Sequence, residues 1–456
     1  MTAVDRGATR VLWFATVAFT LLFAVWVMFA IIGIPLREEF GLTEQQFALL
    51  TAVPILTGSV LRVPLGIVTD RYGGRRVFTL LLVATALPTF LLQYADSYTM
   101  LLVGAFFVGL SGASFAVGVA WVSAWYPTAR QGLALGTFGA GNVGASITKL
   151  LAPWLVTAVG VGGVAGGLVP GGWRFVPFTF SLVLLVMAAA LWLGTPHVDR
   201  TPAQGRRLAD LVRPIASVRA WRFGLYYVVV FGAYVALSLW LPRYYVDVFG
   251  LDLALAGALT ALFIFPASLL RPLGGALADR FGARRVMYLV FGVMTVCCAV
   301  LAAPEGHIVV ELPGRGEGVV AEVLPWSMNV WLFTTLIVLI GVAMGVGKAA
   351  VFVYIPEYFR SDVGAVGGLV GAIGGLGGFV LPLLFSWSEA ATGMPQATFL
   401  VLLVLVLVSF GWLHLTVYRL LQRGAPHLED KFEHPDQATR PDPDATTGAS
   451  RGPDRG

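Results

Sequence analysis

The chain has 456 residues, 57% hydrophobic and only 12% charged, whereas a soluble protein carries about a quarter charged residues. It is therefore read as an all-α, polytopic membrane protein. Its net charge of +5 does not signal nucleic acid, which needs a solvated basic face, because most arginines fall in short loops between apolar runs.

Twelve runs are long enough to cross a bilayer. The first half holds 11–36, 45–69, 77–95, 98–126, 131–160 and 173–194, and the second 221–247, 254–278, 286–303, 327–357, 363–388 and 395–421. The first run follows Arg6 and Arg10 and is too long for a signal-peptide core. Loop charges orient the set. One side receives Arg71, Arg75, Arg76, Arg130, the arginines of 200–219, Arg280, Arg284, Arg285 and Arg360; the other carries mostly acids, among them Glu38, Glu39, Asp96, Asp247 and Asp252. This places both termini on the cytoplasmic side. The expected division is a six-helix bundle over 1–195, a cytoplasmic linker over 196–219 with a short surface helix, and a second bundle over 220–422. An outside insertion covers 304–325, and a polar tail over 423–456 lacks the apolar content to fold alone.

The halves repeat. PILTGSVLRVPLGIVTDRYGGRR, Pro54 to Arg76, is echoed by FIFPASLLRPLGGALADRFGARR, Phe263 to Arg285. Each has one arginine inside an apolar run, Arg62 and Arg271, eight residues before an Asp-Arg-aromatic-Gly turn. At 1.5 Å per residue that is about 12 Å, which puts both cations near the midplane of a bilayer core about 30 Å thick. A second repeat, Tyr126 to Gly144 against Tyr358 onward, aligns Gly132, Gly136 and Gly139 with Gly364, Gly368 and Gly371.

The deep ionisable groups are Arg62, Arg271, Lys149 and Lys348, with no carboxylate at comparable depth. Such a set repels itself and is stabilised by a bound anion; the duller alternative is that each snorkels or bonds backbone carbonyls. Arginine in both repeats suits a planar oxyanion, which accepts parallel N–H bonds from a guanidinium. Arginine cannot release its proton at ordinary pH, so Lys149 and Lys348 are the candidates if protons are coupled. Asn142 lies seven residues before Lys149 on the same helix face.

The glycine runs at Gly139, Gly141 and Gly144, and at Gly371, Gly374 and Gly375, read first as close helix packing. Bare backbone beside a ligand is a compatible second reading. The turns at Asp70, Arg71, Gly73 and Arg76, and at Asp279, Arg280, Gly282 and Arg285, are expected to cap helix ends and bridge neighbouring spans in one conformation. No nucleophile–base set lies within the spans. Cys297 and Cys298, adjacent in an apolar segment, suit neither a disulfide nor a metal site. Neither an enzyme, a metal nor a cofactor is expected.

Twelve spans in two halves, with GIVTDRYGGRR and GALADRFGARR after spans two and eight, resemble the major facilitator superfamily. GTFGAGNVGASITKLLAP and GAVGGLVGAIGGLGGF, with the lone arginine in spans two and eight, resemble its nitrate/nitrite porter family. The resemblance covers nearly all of 10–422. It implies nitrate or nitrite between Arg62 and Arg271, aromatic rings above and below (Phe115, Tyr227 and Phe231, with Phe29 a weaker match), and Asn142 as polar neighbour. Lys149 in ITKLLAP and Lys348 in GVGKAAVF resemble members that symport protons with nitrate. The expectation is a monomeric inner-membrane carrier importing nitrate with protons by alternating access. The alternatives are nitrate/nitrite exchange, carriage of another small monovalent anion, and a non-transporting nitrate sensor.

Overall fold

A segment inside a bilayer must satisfy its own backbone N–H and C=O groups, and each long apolar run here does so as helix. The computed structural model describes residues 3–164, 169–303, 306–311, 320–360 and 362–424. The first run is not one helix: α1 (Ala3–Trp26) and α2 (Phe29–Phe40) are separated by a turn at Val27 and Met28. A capping box between Thr43 and Gln46 starts α3 (Glu44–Tyr72), which runs through the Asp-Arg turn and is longer than the 45–69 expected. Gly73, at φ +86, breaks it from α4 (Gly74–Leu91). Gly282 has the same φ, +86, at the matching turn of the second half. Left-handed backbone of this kind is open chiefly to glycine, which explains the invariant glycine of the two motifs within this chain.

The fourth run is α5 (Tyr98–Val108) and α6 (Ser114–Trp125) joined by a 3-10 turn at Gly109–Ala113. The fifth is α7 (Gln131–Gly139) and α8 (Gly144–Ala158) joined by Ala140–Val143. Then come α9 (Phe175–Gly194), the short linker helix α10 (Leu208–Val212), and α11 (Val218–Tyr227) and α12 (Ala233–Phe249) with a π-helical turn, Val228–Gly232, between them. α13 (Leu253–Leu269) and α14 (Arg271–Phe281) form one span bent by 42°. Pro272 has no N–H for the carbonyl four residues back, which puts the bend at Arg271.

α15 (Ala283–Leu301) leads to the insertion, where β1 (Gly306–Glu311) pairs antiparallel with β2 (Val320–Trp326). α16 (Val330–Tyr358), α17 (Val363–Thr392) and α18 (Ala397–Gly424) complete the set. Eight of these helices, the joined pairs α5–α6 and α11–α12, and the bent pair are long and apolar enough to span; the broken run 131–158 supplies the twelfth crossing. The chain is thus a multi-pass, twelve-helix membrane protein in two sequence-related sets of six. Residues 1–410 form one compact unit, and 411–424 are the described, helical part of a second. The expected polar tail beyond 424 lies outside the described residues.

Large apolar side chains face outward, Leu80 at 68%, Leu150 at 72% and Leu193 at 79% exposed, while Arg62, Arg271, Asn142 and Lys348 are buried. That is the polarity a lipid surround selects.

At the basic end of the spans the two halves close on each other. The Asp70 carboxylate accepts the Gly364 N–H at the start of α17, 2.8 Å away. Asp279 accepts the Gly132 and Leu133 N–H groups near the start of α7, at 2.9 and 2.8 Å. Each half therefore caps a helix of the other with the aspartate of its repeated turn. The linker crosses the same seam: the Ala203 N–H donates to Asp70 O at 3.0 Å, and Arg206 pairs with Asp362 at 2.7 Å. Asp199, unremarked in the sequence, accepts the Arg75 N–H and the Trp121 and Trp125 indole N–H groups at 2.8 to 3.0 Å.

Candidate functional site

Arg62 projects from the middle of α3 and Arg271 from the bend of the eighth span, at 0% and 1% exposure. Arg62 Nε donates to Gly112 O at 3.0 Å and Nη1 donates to Gly371 O. Nε and Nη1 of Arg271 have no hydrogen-bond partner among the described residues. Both cations lie over the Phe115 ring, 5.7 Å from its centroid for the Arg62 Cζ and 5.3 Å for that of Arg271. Those distances cap the separation of the guanidinium carbons at about 11 Å. Two permanent cations this close, with no carboxylate paired to either among the described residues, create a region of strongly positive potential.

The three expected rings are together. Phe115 stacks on Tyr227 (6.0 Å, 12°) and Tyr227 on Phe231 (4.9 Å, 9°), with Phe352 set edge-on against Phe115 and Tyr227 at 4.9 Å from each. They form one continuous column across the two halves, and Phe231 also lies 5.5 Å from the Arg62 Cζ. The π-helical turn Val228–Gly232 starts just after Tyr227 and includes Phe231, a local widening that often marks functional positions. Phe29 is buried at 1%, but the ring over Arg62 from this part of the chain is Trp26, at 5.2 Å. Trp26 ends α1 just before the turn at Val27 and Met28, and its indole N–H donates to Pro54 O at 2.7 Å.

Asn142 lies in the 3-10 turn between α7 and α8. It is 1% exposed, and neither its amide oxygen nor its nitrogen has a partner among the described residues. Unpaired buried amide groups cost about 1–3 kcal/mol, a cost that a polar ligand would remove.

The glycine runs are where helices meet these side chains. A Cβ on Gly139 would lie 2.5 Å from Arg271 Nη2 and closer still to Nε and Cζ; one on Gly371 would lie 3.1 Å from Arg62 Cδ; one on Gly374 would run into the Tyr227 ring. Gly141 and Gly144 face α1 instead, against Phe19 and the Thr20 carbonyl. Packing and access to the site therefore coexist, divided by position.

The two lysines differ. Lys348 is fully buried, donates to Ala267 O at 3.0 Å, and places Nζ 3.1 Å from the centroid of Tyr234 and 5.9 Å from that of Phe231. It adjoins the arginine site. Lys149 is only half-buried and makes no hydrogen bond or ion pair among the described residues. The structure does not bring it to the arginines.

Several residues of the site were not singled out from the sequence. Ser59 lies three residues before Arg62 and Phe352 four after Lys348, spacings that share a helix face. Tyr234 lies seven after Tyr227. Trp26 had no such signal.

Residues 14–307 match the family model described as Major Facilitator Superfamily, and 253–432 match that of Sugar (and other) transporter. A Thermus thermophilus protein named "Probable nitrate/nitrite antiporter NarK1" is 58% identical over 424 residues, 93% of this chain and 95% of its own. The Bacillus subtilis "Nitrite extrusion protein" is 32% identical over 85% of this chain and 89% of its own. Among solved structures, the fucose transporter FucP in its outward conformation superposes with a TM-score of 0.67 at 16% identity, covering 88% of this chain and 97% of its own; that likeness speaks for the fold alone.

Proposed function

The chain belongs to the major facilitator superfamily and, within it, to the nitrate/nitrite porter family, and from that premise we propose that it carries nitrate, with nitrite as a second substrate, by alternating access. The observation that carries the reading is the pair of buried arginines over Phe115, with no carboxylate paired to either among the described residues, and an Asn142 amide without a partner among them. A small planar oxyanion offers acceptors to both guanidinium groups and neutralises their repulsion, so binding draws the two halves together. The seam at the basic end, sealed by Asp70 and Asp279, then has to part for release on that side. The positive-inside rule makes it the cytoplasmic side of the inner membrane.

Proton symport is supported by Lys348, the buried cation with a titratable amine beside Arg271. It holds its ammonium by one carbonyl and one ring face, contacts that a neutral amine would weaken. A second reading, nitrate/nitrite exchange, is favoured by the name of the 58% identical Thermus relative. Proteoliposomes containing only buffer and a pH dye separate the two. Acidification accompanying nitrate entry, abolished in Lys348→Gln, is the result expected of symport. Uptake only after preloading with nitrite or nitrate, without a pH change, would make the protein an exchanger and leave Lys348 a structural cation.

A further inference from the structure

The helix that carries Arg62 also carries a hydroxyl with no structural employment. Serines and threonines inside helices ordinarily return their hydroxyl to a carbonyl three or four residues back. Thr57 does so to Val53 and Pro54 at 3.0 and 3.3 Å, and Thr69 to Leu65 at 2.7 Å. Ser59 does not: it is 0% exposed, and its Oγ has no partner among the described residues. It lies on the same face of α3 as Arg62, three residues away. Both point at Gly375 of α17. The position a Cβ would take on Gly375 is 3.2 Å from Arg62 Nη1 and nearer still to Ser59 Oγ, so those atoms are within about 6 Å of each other. Neighbouring oxygens of one small anion, one accepting from each donor at ordinary lengths of about 2.8–2.9 Å, fit within that distance. The bare backbone of Gly375 is what leaves the space.

We propose that the Ser59 hydroxyl is a third donor of the anion site and distinguishes nitrate from nitrite. This rests on the reading that the arginine pair binds these ions. A trigonal anion has three oxygens, enough for Arg62, Arg271 and Ser59 at once. A bent anion with two oxygens is held by the arginines and leaves the hydroxyl unanswered. The neutral O–H adds a direction without adding charge, which is what discrimination between two monovalent anions requires. Its selectivity comes from leaving a buried polar group unpaired when the smaller ion is bound.

The test is binding of sodium nitrate and sodium nitrite, each titrated calorimetrically into the purified full chain. It compares wild type with Ser59→Ala and Ser59→Cys, variants that remove the hydroxyl at near-constant volume; thermal unfolding verifies their fold. The expected result is nitrate affinity lowered about tenfold in both variants, as for the loss of one hydrogen bond to a charged partner, with nitrite affinity changed less than threefold. A nitrate-to-nitrite ratio unchanged from wild type, whether neither ion or both together shift, overturns the assignment of Ser59. Failure of wild type to bind either ion overturns instead the anion-site reading beneath it.

Discussion

Gly136 and Gly139 lie one turn apart on α7 and both abut Arg271, yet replacing them by alanine should have different consequences. At Gly139 the new methyl would lie 2.5 Å from Nη2 and closer to Nε and Cζ. The obstructed atoms are the far end of a flexible side chain. They need to retreat by about 1 Å to reach ordinary contact distance of about 3.5 Å, and the helices can stay where they are. At Gly136 the methyl would lie 2.9 Å from the Arg271 carbonyl carbon and closer to its oxygen; there the backbone of α14 is in the way. Gly139→Ala should therefore leave thermal stability within about 1 kcal/mol of wild type, inside the range of mild overpacking. A guanidinium displaced by about 1 Å loses one or both of its anion bonds, each about 1.5–3 kcal/mol, and nitrate affinity should fall at least tenfold. Gly136→Ala should lower the unfolding temperature, because α7 and α14 must separate. Unfolding in detergent and nitrate titration on the same preparations measure both quantities. Wild-type affinity in Gly139→Ala, or equal destabilisation by both variants, would refute the placement of the Arg271 head against Gly139.

Two further outcomes follow from the structure. Asp279→Ala removes the acceptor of two N–H groups at the start of α7; at about 2 kcal/mol, amide hydrogen exchange over 131–135 should accelerate about 30-fold, and unchanged exchange would contradict the cap. Outside the spans, the Arg174 hydrogen bond, with help from Trp173, holds the Glu39 carboxyl below its usual range. A lowered folded pKa stabilises above the unfolded value of about 4.3 and is lost as pH falls through the folded one. The pair is part-exposed, at 29% and 41%, so Glu39→Gln should cost no more than about 1 kcal/mol at pH 7. That difference should vanish toward pH 3, and one that is independent of pH would show that the charge is irrelevant.

The arginines, the repeated turns and the twelve crossings were legible because they rest on one-dimensional signals: a charge inside an apolar run, a motif repeated at fixed spacing, and apolar length. At the repeated turns Gly73 and Gly282 both take φ +86, the left-handed backbone that glycine favours. What escaped depends on how helices bend. Trp26 reaches Arg62 from the last turn of α1, on the face that carries Phe19 and Phe23, and nothing in that apolar run sets it apart. Arg271 sits at a bend that Pro272 did announce, once its neighbour was known to matter. Lys149 and Lys348 look equivalent in sequence, yet one is half-buried while the other is fully buried against Tyr234, a difference that midplane depth cannot express. Asp199 accepts from Arg75, Trp121 and Trp125, each more than 70 residues away, beyond the reach of any local pattern.

The central claim is that two guanidinium groups bind the transported anion by fork geometry. Its most direct test is counterflow of isotopically labelled nitrate into nitrate-loaded proteoliposomes, comparing wild type with Arg62→Lys and Arg271→Lys at equal incorporation. Lysine keeps the positive charge but not the planar pair of donors. The account predicts labelled nitrate accumulating with wild type and remaining at the protein-free level with either variant. Counterflow at the wild-type rate in either lysine variant would contradict it.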